Sequence, residues 1–407
     1  MNKNKYFKDL FWNTLGVSFN SFLIMLLLIV ITRINGIKIS GFFSFAFSFC
    51  AIIQAITTYG GRNYQVSDVS NKIDESSYLS TKLITTFIGI IIAFIYFLIF
   101  KQNHETILFI ALIMIIKIIE TFSDVFYAIL QKNNQLDIVG KSYVMKNAIG
   151  FTIFTAIDFF TKNVVLSIIG MIIINIILFI VYDYQKTKKI IKLKLNINNE
   201  CITVLKECFY FFLYNFLILL IANISRFTVN NLLSSVELGY YGILIMIPSI
   251  MTLFGQFLIT PSLINLAKLH HENNIKGFIK EIRKIFIFTS GISIFFIICA
   301  YFLGEQVLSL LYSISFKGYK IIFIEFILIG LLNAFTLIIS NALTVMRKTK
   351  YQVYIYITTL ILGIVSSYLL TKNYGFNGAI NSYLITMGIQ FSLFLVYFTI
   401  VLKRSKK

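Results

Sequence analysis

Apolar stretches of roughly the length a helix needs to cross hydrocarbon recur along the whole chain, and the polar breaks between them are alternately rich and poor in Lys and Arg. About twelve such stretches can be marked, at 11–32, 40–60, 80–100, 106–129, 140–160, 164–183, 206–226, 238–260, 284–303, 319–340, 352–371 and 376–402. Counting residues near a span's end with the adjoining loop, 27 of the 36 Lys and Arg fall on one set of loops and ends, eight on the other, and Lys117 lies deep inside a span. A missed helix would invert the alternation downstream, and it never inverts. Membrane orientation follows Lys/Arg bias, so the basic side is cytoplasmic and both termini are expected there. The expectation is an all-α polytopic membrane protein of about twelve transmembrane helices.

Composition agrees. The chain is 58% hydrophobic and 13% charged, whereas a globular domain carries about 25% charged residues. A net charge of +19 could point to nucleic acid. However, clusters such as Lys186-Thr187-Lys188-Lys189 and the end Lys403-Arg404-Ser405-Lys406-Lys407 flank spans, where they meet anionic lipid headgroups, so no nucleic-acid partner is expected. The first span ends in Thr32-Arg33-Ile34-Asn35-Gly36 with no small-residue cleavage site, and is expected to be retained. Cys50, Cys201, Cys208 and Cys299 have neither disulfide nor metal-ligand spacing, and His270-His271 lacks companion ligands, so no metal and no cofactor are expected. No phosphate-cradling glycine motif, zinc motif or nucleophile elbow appears, and no loop is long enough to hold a folded domain. An enzyme and an ATP-driven pump are both disfavoured; a secondary transporter or flippase fits.

The longest polar stretch, 184–205, separates two sets of six spans, giving a first bundle at 1–195 and a second at 196–407. Six is even, so both halves enter from the same side and are expected to be related by a pseudo-two-fold axis along the membrane normal. Ser40-Gly41-Phe42-Phe43 opens the second span of one half and Leu238-Gly239-Tyr240-Tyr241 that of the other, each after an arginine, Arg33 or Arg226. The cytoplasmic segments 62–80 and 262–283 mix charged and apolar residues and could lie along the membrane face.

An ionisable residue in a span is costly, by about 2.5 kcal/mol or more at the centre, so it must face a cavity or a partner. Lys117, Glu120 and Asp124 share one helix face by their spacing. They form either a hydrated cavity wall, with Lys117 holding an anion and the carboxylates tuning it or coupling to a cation, or an internal Lys117–Glu120 ion pair with an interfacial Asp124. Arg33 and Arg226 either snorkel to headgroups or face the seam between halves. Arg62, Lys141 and Lys146 are read as positive-inside anchors or as substrate ligands. Asn13, Asn20, Asn215 and Asn223 suit interhelical hydrogen bonds. Pro248, in the eighth span, removes a backbone hydrogen bond and kinks the helix, as a static bend or as a hinge.

Several stretches carry a family resemblance: Phe11-Trp12-Asn13-Thr14-Leu15-Gly16, Thr32-Arg33-Ile34-Asn35-Gly36, Ser40-Gly41-Phe42-Phe43-Ser44-Phe45-Ala46, Tyr59-Gly60-Gly61-Arg62-Asn63-Tyr64-Gln65-Val66, Leu238-Gly239-Tyr240-Tyr241 and Gly375-Phe376-Asn377-Gly378-Ala379. Across its whole length the chain resembles the bacterial lipid-linked oligosaccharide flippases, the polysaccharide-transporter branch of the multidrug/oligosaccharidyl-lipid/polysaccharide exporter superfamily. The resemblance implies two six-helix bundles around a cationic cavity and a substrate of undecaprenyl-pyrophosphate-linked repeat units, turned over by alternating access in the bacterial cytoplasmic membrane for surface polysaccharide synthesis. It implies Arg33, Lys117 and Arg226 as the leading pyrophosphate ligands, a polysaccharide polymerase and glycosyltransferases as working partners, and H+ or Na+ as a coupling ion. The alternative is a cation-coupled multidrug antiporter of the same superfamily, which would expect carboxylates to dominate the cavity; here Glu120, Asp124 and Glu325 are accompanied by basic groups. A polysaccharide polymerase would need a large outer loop, and a membrane scaffold would not need intramembrane charges.

Overall fold

The twelve expected spans fall chiefly on helical residues in the computed structural model, which describes residues 3–68 and 72–404, and of 3, 4, 6 and 404 the backbone only. The expected tail lysines Lys406 and Lys407 lie outside the described residues. In chain order the helices are α1 Lys3–Asn35, α2 Ile37–Thr58, α3 Gly61–Ser67, α4 Glu75–Ile99, α5 His104–Lys132, α6 Leu136–Thr161, α7 Val164–Leu178, a π-helical turn Phe179–Tyr184, and α8 Gln185–Lys188. Then follow α9 Asn199–Leu232, α10 Ser235–Leu244, α11 Met246–His271, α12 Ile275–Tyr312, α13 Lys320–Val345 and α14 Lys350–Arg404. Among the described residues, ten helical stretches are long and apolar enough to cross a membrane. The difference from twelve has two causes. The fifth span is the more polar α6, with Asp137, Lys141, Lys146 and Asp158 along it. The last two spans run together in α14, bent at Gly375, whose φ of 58° and ψ of −134° only glycine adopts readily.

The chain divides into two compact units, Met1–Leu219 and Leu220–Lys407, so the division falls inside α9. In the first unit α1 packs chiefly on α6, and α2 on α5 and α4. The α1–α6 crossing is close because glycines meet there: a Cβ on Gly16 would stand 2.6 Å from the Gly140 carbonyl oxygen, and one on Gly140 would overlap the Trp12 main chain. Lipid tails are as apolar as leucine, so close packing of small residues is what holds such helices together. Helix α4 shows the resulting pattern. Phe87, Ile91, Phe94 and Leu98 are exposed, whereas Ser77, Ser80, Thr81 and Thr85 are buried. Its small polar face is turned inward, where main-chain and hydroxyl partners are available: Thr85 donates to the Thr57 carbonyl at 2.6 Å. The segment between α8 and α9 is tied to the same face, Lys194 N–H donating to Ser76 Oγ at 3.3 Å and Asn196 N–H to Ser80 Oγ at 2.9 Å.

In the second unit α11 packs on α13, and α13 on α12 and α14. A capping box at Ser234 and Glu237 starts α10. The eighth span is broken at Ile245, between α10 and α11, three residues before Pro248. Pro248 has no N–H for the Leu244 carbonyl, the bond whose loss was expected to kink this span. The segment 262–283 is not a separate surface element, since α11 runs on to His271 and α12 begins at Ile275. The two resembling tetrapeptides occupy equivalent helical positions: Gly41 and Gly239 are each the fifth residue of their helix, and Phe43 and Tyr241 are both buried.

Candidate functional site

Helical spacing on five elements of the first unit turns polar side chains to one interior region. Helix α5 supplies Lys117, Glu120, Asp124 and Tyr127; α6 supplies Tyr143, Lys146 and Asn147; α2 supplies Gln54 and Thr58; α1 supplies Asn20 and α7 Asn175. Steps of three and four residues keep each set on one face. Together these residues line a cavity of ≈ 150 Å³. A second hollow of ≈ 460 Å³ is lined by Gln54, Thr58, Arg62, Asn63, Asp124 and, from the first half of α9, Phe211, Phe212, Asn215 and Leu219. Gln54, Thr58 and Asp124 line both, so the two spaces adjoin. A larger hollow of ≈ 800 Å³ lies beside the α8–α9 segment; there Glu75 and Lys132 pair with each other at 2.6 Å.

Three carboxylates and four cations meet in this interior, and they are not held alike. Lys117 Nζ donates to Glu120 Oε2 at 2.9 Å, and Gln54 Nε2 donates to the same oxygen at 2.8 Å. The Lys117 ammonium also lies 4.7 Å from the Phe47 ring centroid, a cation–π contact at a side chain only 8% exposed. Lys146, 4% exposed, donates to Asp183 Oδ2 at 2.5 Å and to Ser123 Oγ at 2.7 Å; Asp183, 0% exposed, accepts from Ser142 Oγ at 2.6 Å as well. Asp183 sits in the π-helical turn, a wider winding frequent at functional sites. Asp124 is held most loosely, 3.6 Å from Arg62 Nη1 and 3.7 Å from Lys82 Nζ. Arg62 has further anchors, donating to Gln131 Oε1 at 3.1 Å and Tyr143 OH at 3.3 Å, and Lys82 donates to the Thr58 carbonyl. Four cations against three carboxylates leave one net positive charge in an apolar bundle. Such a site attracts an anion that can share hydrogen bonds with it.

The expected residues distribute as follows. Lys117, Glu120, Asp124, Arg62 and Lys146 are brought together here. Lys117 is paired with Glu120 and also lines the cavity, and Asp124 lies between two cations. Lys141 stands apart, 3.5 Å from Asp137 and over the Trp12 ring at 5.4 Å. Arg33 is exposed at the last turn of α1. Arg226, 4% exposed, belongs to the second unit, near Tyr241 and Tyr383. Lys82, Gln54, Tyr127, Tyr143 and Asp183 join the same region without a site signal of their own in the sequence. Lys82 counted only as a positive-inside residue, and the π turn that presents Asp183 leaves no sequence signal.

The chain is similar to several known proteins. Residues 211–369 match the MatE family model. A capsular polysaccharide biosynthesis protein, CapF of Staphylococcus aureus, is 27% identical over 360 residues, covering 87% of this chain and 89% of that protein. Among solved structures, an inward-facing multidrug resistance MATE family transporter of the MOP superfamily superposes with a TM-score of 0.71 at 11% identity, covering 97% of this chain and 99% of that one. The lipid II flippase MurJ superposes at 0.67 and 18% identity, covering 95% and 86%. A MOP superfamily transporter from Pyrococcus furiosus superposes at 0.63 and 15% identity, covering 99% and 96%. These structures share the fold along nearly the whole chain, and the many apolar helices fit a multi-pass membrane protein.

Proposed function

We propose that this chain is a flippase that carries lipid-pyrophosphate-linked oligosaccharide repeat units from the cytoplasmic to the outer face of a bacterial cytoplasmic membrane, for surface polysaccharide synthesis. The observation that carries this reading is the cationic excess among Arg62, Lys82, Lys117 and Lys146 inside the first bundle, beside a hollow bearing aromatic and amide side chains. A pyrophosphate needs charge-assisted donors to replace its water and counterions. Sugars need amides and flat apolar faces; Asn215, Asn63, Phe211 and Phe212 offer both. The lipid tail stays in the hydrocarbon, for which an apolar, lipid-exposed exterior suffices. The capsular polysaccharide relative supports the same substrate class. The antiporter reading requires a carboxylate open to a mobile cation, and Glu120, Asp124 and Asp183 each already face a lysine or arginine of the chain itself.

The remaining parts of the reading follow from the two halves. Arg226 is the cation of the second half suited to the same substrate, Lys141 and Arg33 act at the two membrane faces, and the break before Pro248 serves as a hinge in alternating access. The test is genetic and chemical together. Lys117→Gln and Arg62→Gln, expressed at wild-type level in the source bacterium lacking the native gene, are expected to lower surface polysaccharide at least tenfold while lipid-linked repeat units accumulate inside. Normal polysaccharide with altered resistance to cationic dyes would instead establish the antiporter.

A further inference from the structure

Asp124 differs from the other two interior carboxylates in a way that suggests a task. Glu120 and Asp183 are closed by direct hydrogen bonds at 2.9 and 2.5 Å from their lysines, with Gln54 or Ser142 donating as well. Asp124 stands farther from both its cations, at 3.6 and 3.7 Å, beyond ordinary hydrogen-bond length. It also lines both cavities, at their junction.

The two cations do not depend on Asp124 for their positions. Arg62 is fixed by Gln131 and Tyr143 and lies over the Tyr127 ring at 5.7 Å; Lys82 is fixed by the Thr58 carbonyl. Were Asp124 to swing aside, a guanidinium and an ammonium would remain preorganised to grip an incoming anion. A phosphate brings more acceptor oxygens than a carboxylate and binds a guanidinium in bidentate fashion, so it out-competes a carboxylate held at arm's length.

We infer that Asp124 is an internal stand-in for the substrate's phosphate: it neutralises Arg62 and Lys82 until a pyrophosphate enters from the ≈ 460 Å³ hollow and displaces it. The arrangement keeps two buried cations from standing uncompensated in the absence of substrate, and it discriminates against weakly charged anions that cannot displace the carboxylate. This inference rests on the flippase reading of the same site.

The test uses the full chain in detergent micelles, with inorganic pyrophosphate as the probe and titration calorimetry at fixed ionic strength. An internal carboxylate that holds the cations in about nine molecules of ten weakens apparent affinity about tenfold, so Asp124→Asn is expected to bind pyrophosphate about tenfold more tightly than the native chain. Asp124→Glu keeps the charge and lengthens its reach, and is expected to bind more weakly than the native chain; it decides the matter if Asp124→Asn fails to fold. Arg62→Gln is expected to lose binding in every background. If Arg62→Gln loses binding but Asp124→Asn fails to tighten it, or Asp124→Glu fails to weaken it, Asp124 is no stand-in and the flippase reading stands. If the native chain and Asp124→Asn both bind no pyrophosphate, the anionic-substrate reading falls with it.

Discussion

The buried Lys146–Asp183 pair gives the sharpest physical test of this interior. Asp183→Asn preserves shape and one acceptor for Ser142 but removes the charge opposite an ammonium that is 4% exposed. Breaking a buried pair from one side costs about 3–5 kcal/mol, because the remaining charge has no counter-ion. Lys146 would keep the hydroxyls of Ser123 and Tyr127, at 2.7 and 3.2 Å, and the Tyr127 and Phe179 ring faces, at 5.5 and 5.7 Å, none of which carries a counter-charge. Removing both charges together, in Lys146→Met with Asp183→Leu, should recover most of that loss. What remains is about 1–2 kcal/mol for the hydroxyl hydrogen bonds forgone. The assay is unfolding by SDS titration in mixed micelles, followed by the fluorescence of Trp12, the single tryptophan of the chain, which lies at the α1–α6 crossing. A cost below about 1 kcal/mol for Asp183→Asn would refute the claim that the pair is dry and coupled. So would a double variant no more stable than the single one.

Three further outcomes are expected. Gly140→Ala places a Cβ against the Trp12 main chain, which cannot yield as a side chain would, and should destabilise the first unit by about 1–3 kcal/mol in the same Trp12-reported unfolding. Burial pushes the Asp137 carboxyl up, but Lys8 at 3.2 Å and Lys141 at 3.5 Å outweigh it and hold the group below its usual range. A lowered carboxylate stabilises the native state at pH values above the usual Asp range, and that contribution is lost as pH falls through the native value. A Trp12 fluorescence transition below the usual Asp midpoint, absent in Asp137→Asn, checks this. Pro248→Ala restores an N–H for the Leu244 carbonyl and should slow translocation severalfold while leaving pyrophosphate affinity unchanged; undiminished translocation would show the break at Ile245 to be a static bend.

Much of the fold was legible because the bilayer imposes so severe a rule. Helical backbone must satisfy its own hydrogen bonds in hydrocarbon, so apolar length and the Lys/Arg bias of loops mark the spans with little ambiguity. The α5 face was legible too, since Lys117, Glu120 and Asp124 are neighbours along one helix. Lys82 was not, because the same rule that orients the chain supplies a sufficient reason for a lysine at the start of a span. Asp183 was hidden twice, by its place near a span's end and by the π turn that re-aims it at Lys146. Lys141 and Lys146 look alike in sequence, yet a five-residue separation sends one to Trp12 and Asp137 and the other inward to Asp183.

The order of amino acids by itself determined that the chain is a polytopic helical membrane protein, which loops are basic, and which helix carries intramembrane charge, since these depend on local length, polarity and spacing. Tertiary structure alone decided which cation meets which carboxylate, how tightly, and around what space, since each such partnership joins residues on different helices. Residues far apart in the chain, such as Arg62 with Asp124 and Lys146 with Asp183, are brought together only by helix packing, and glycine contacts such as Gly16 on Gly140 set how near two helices come.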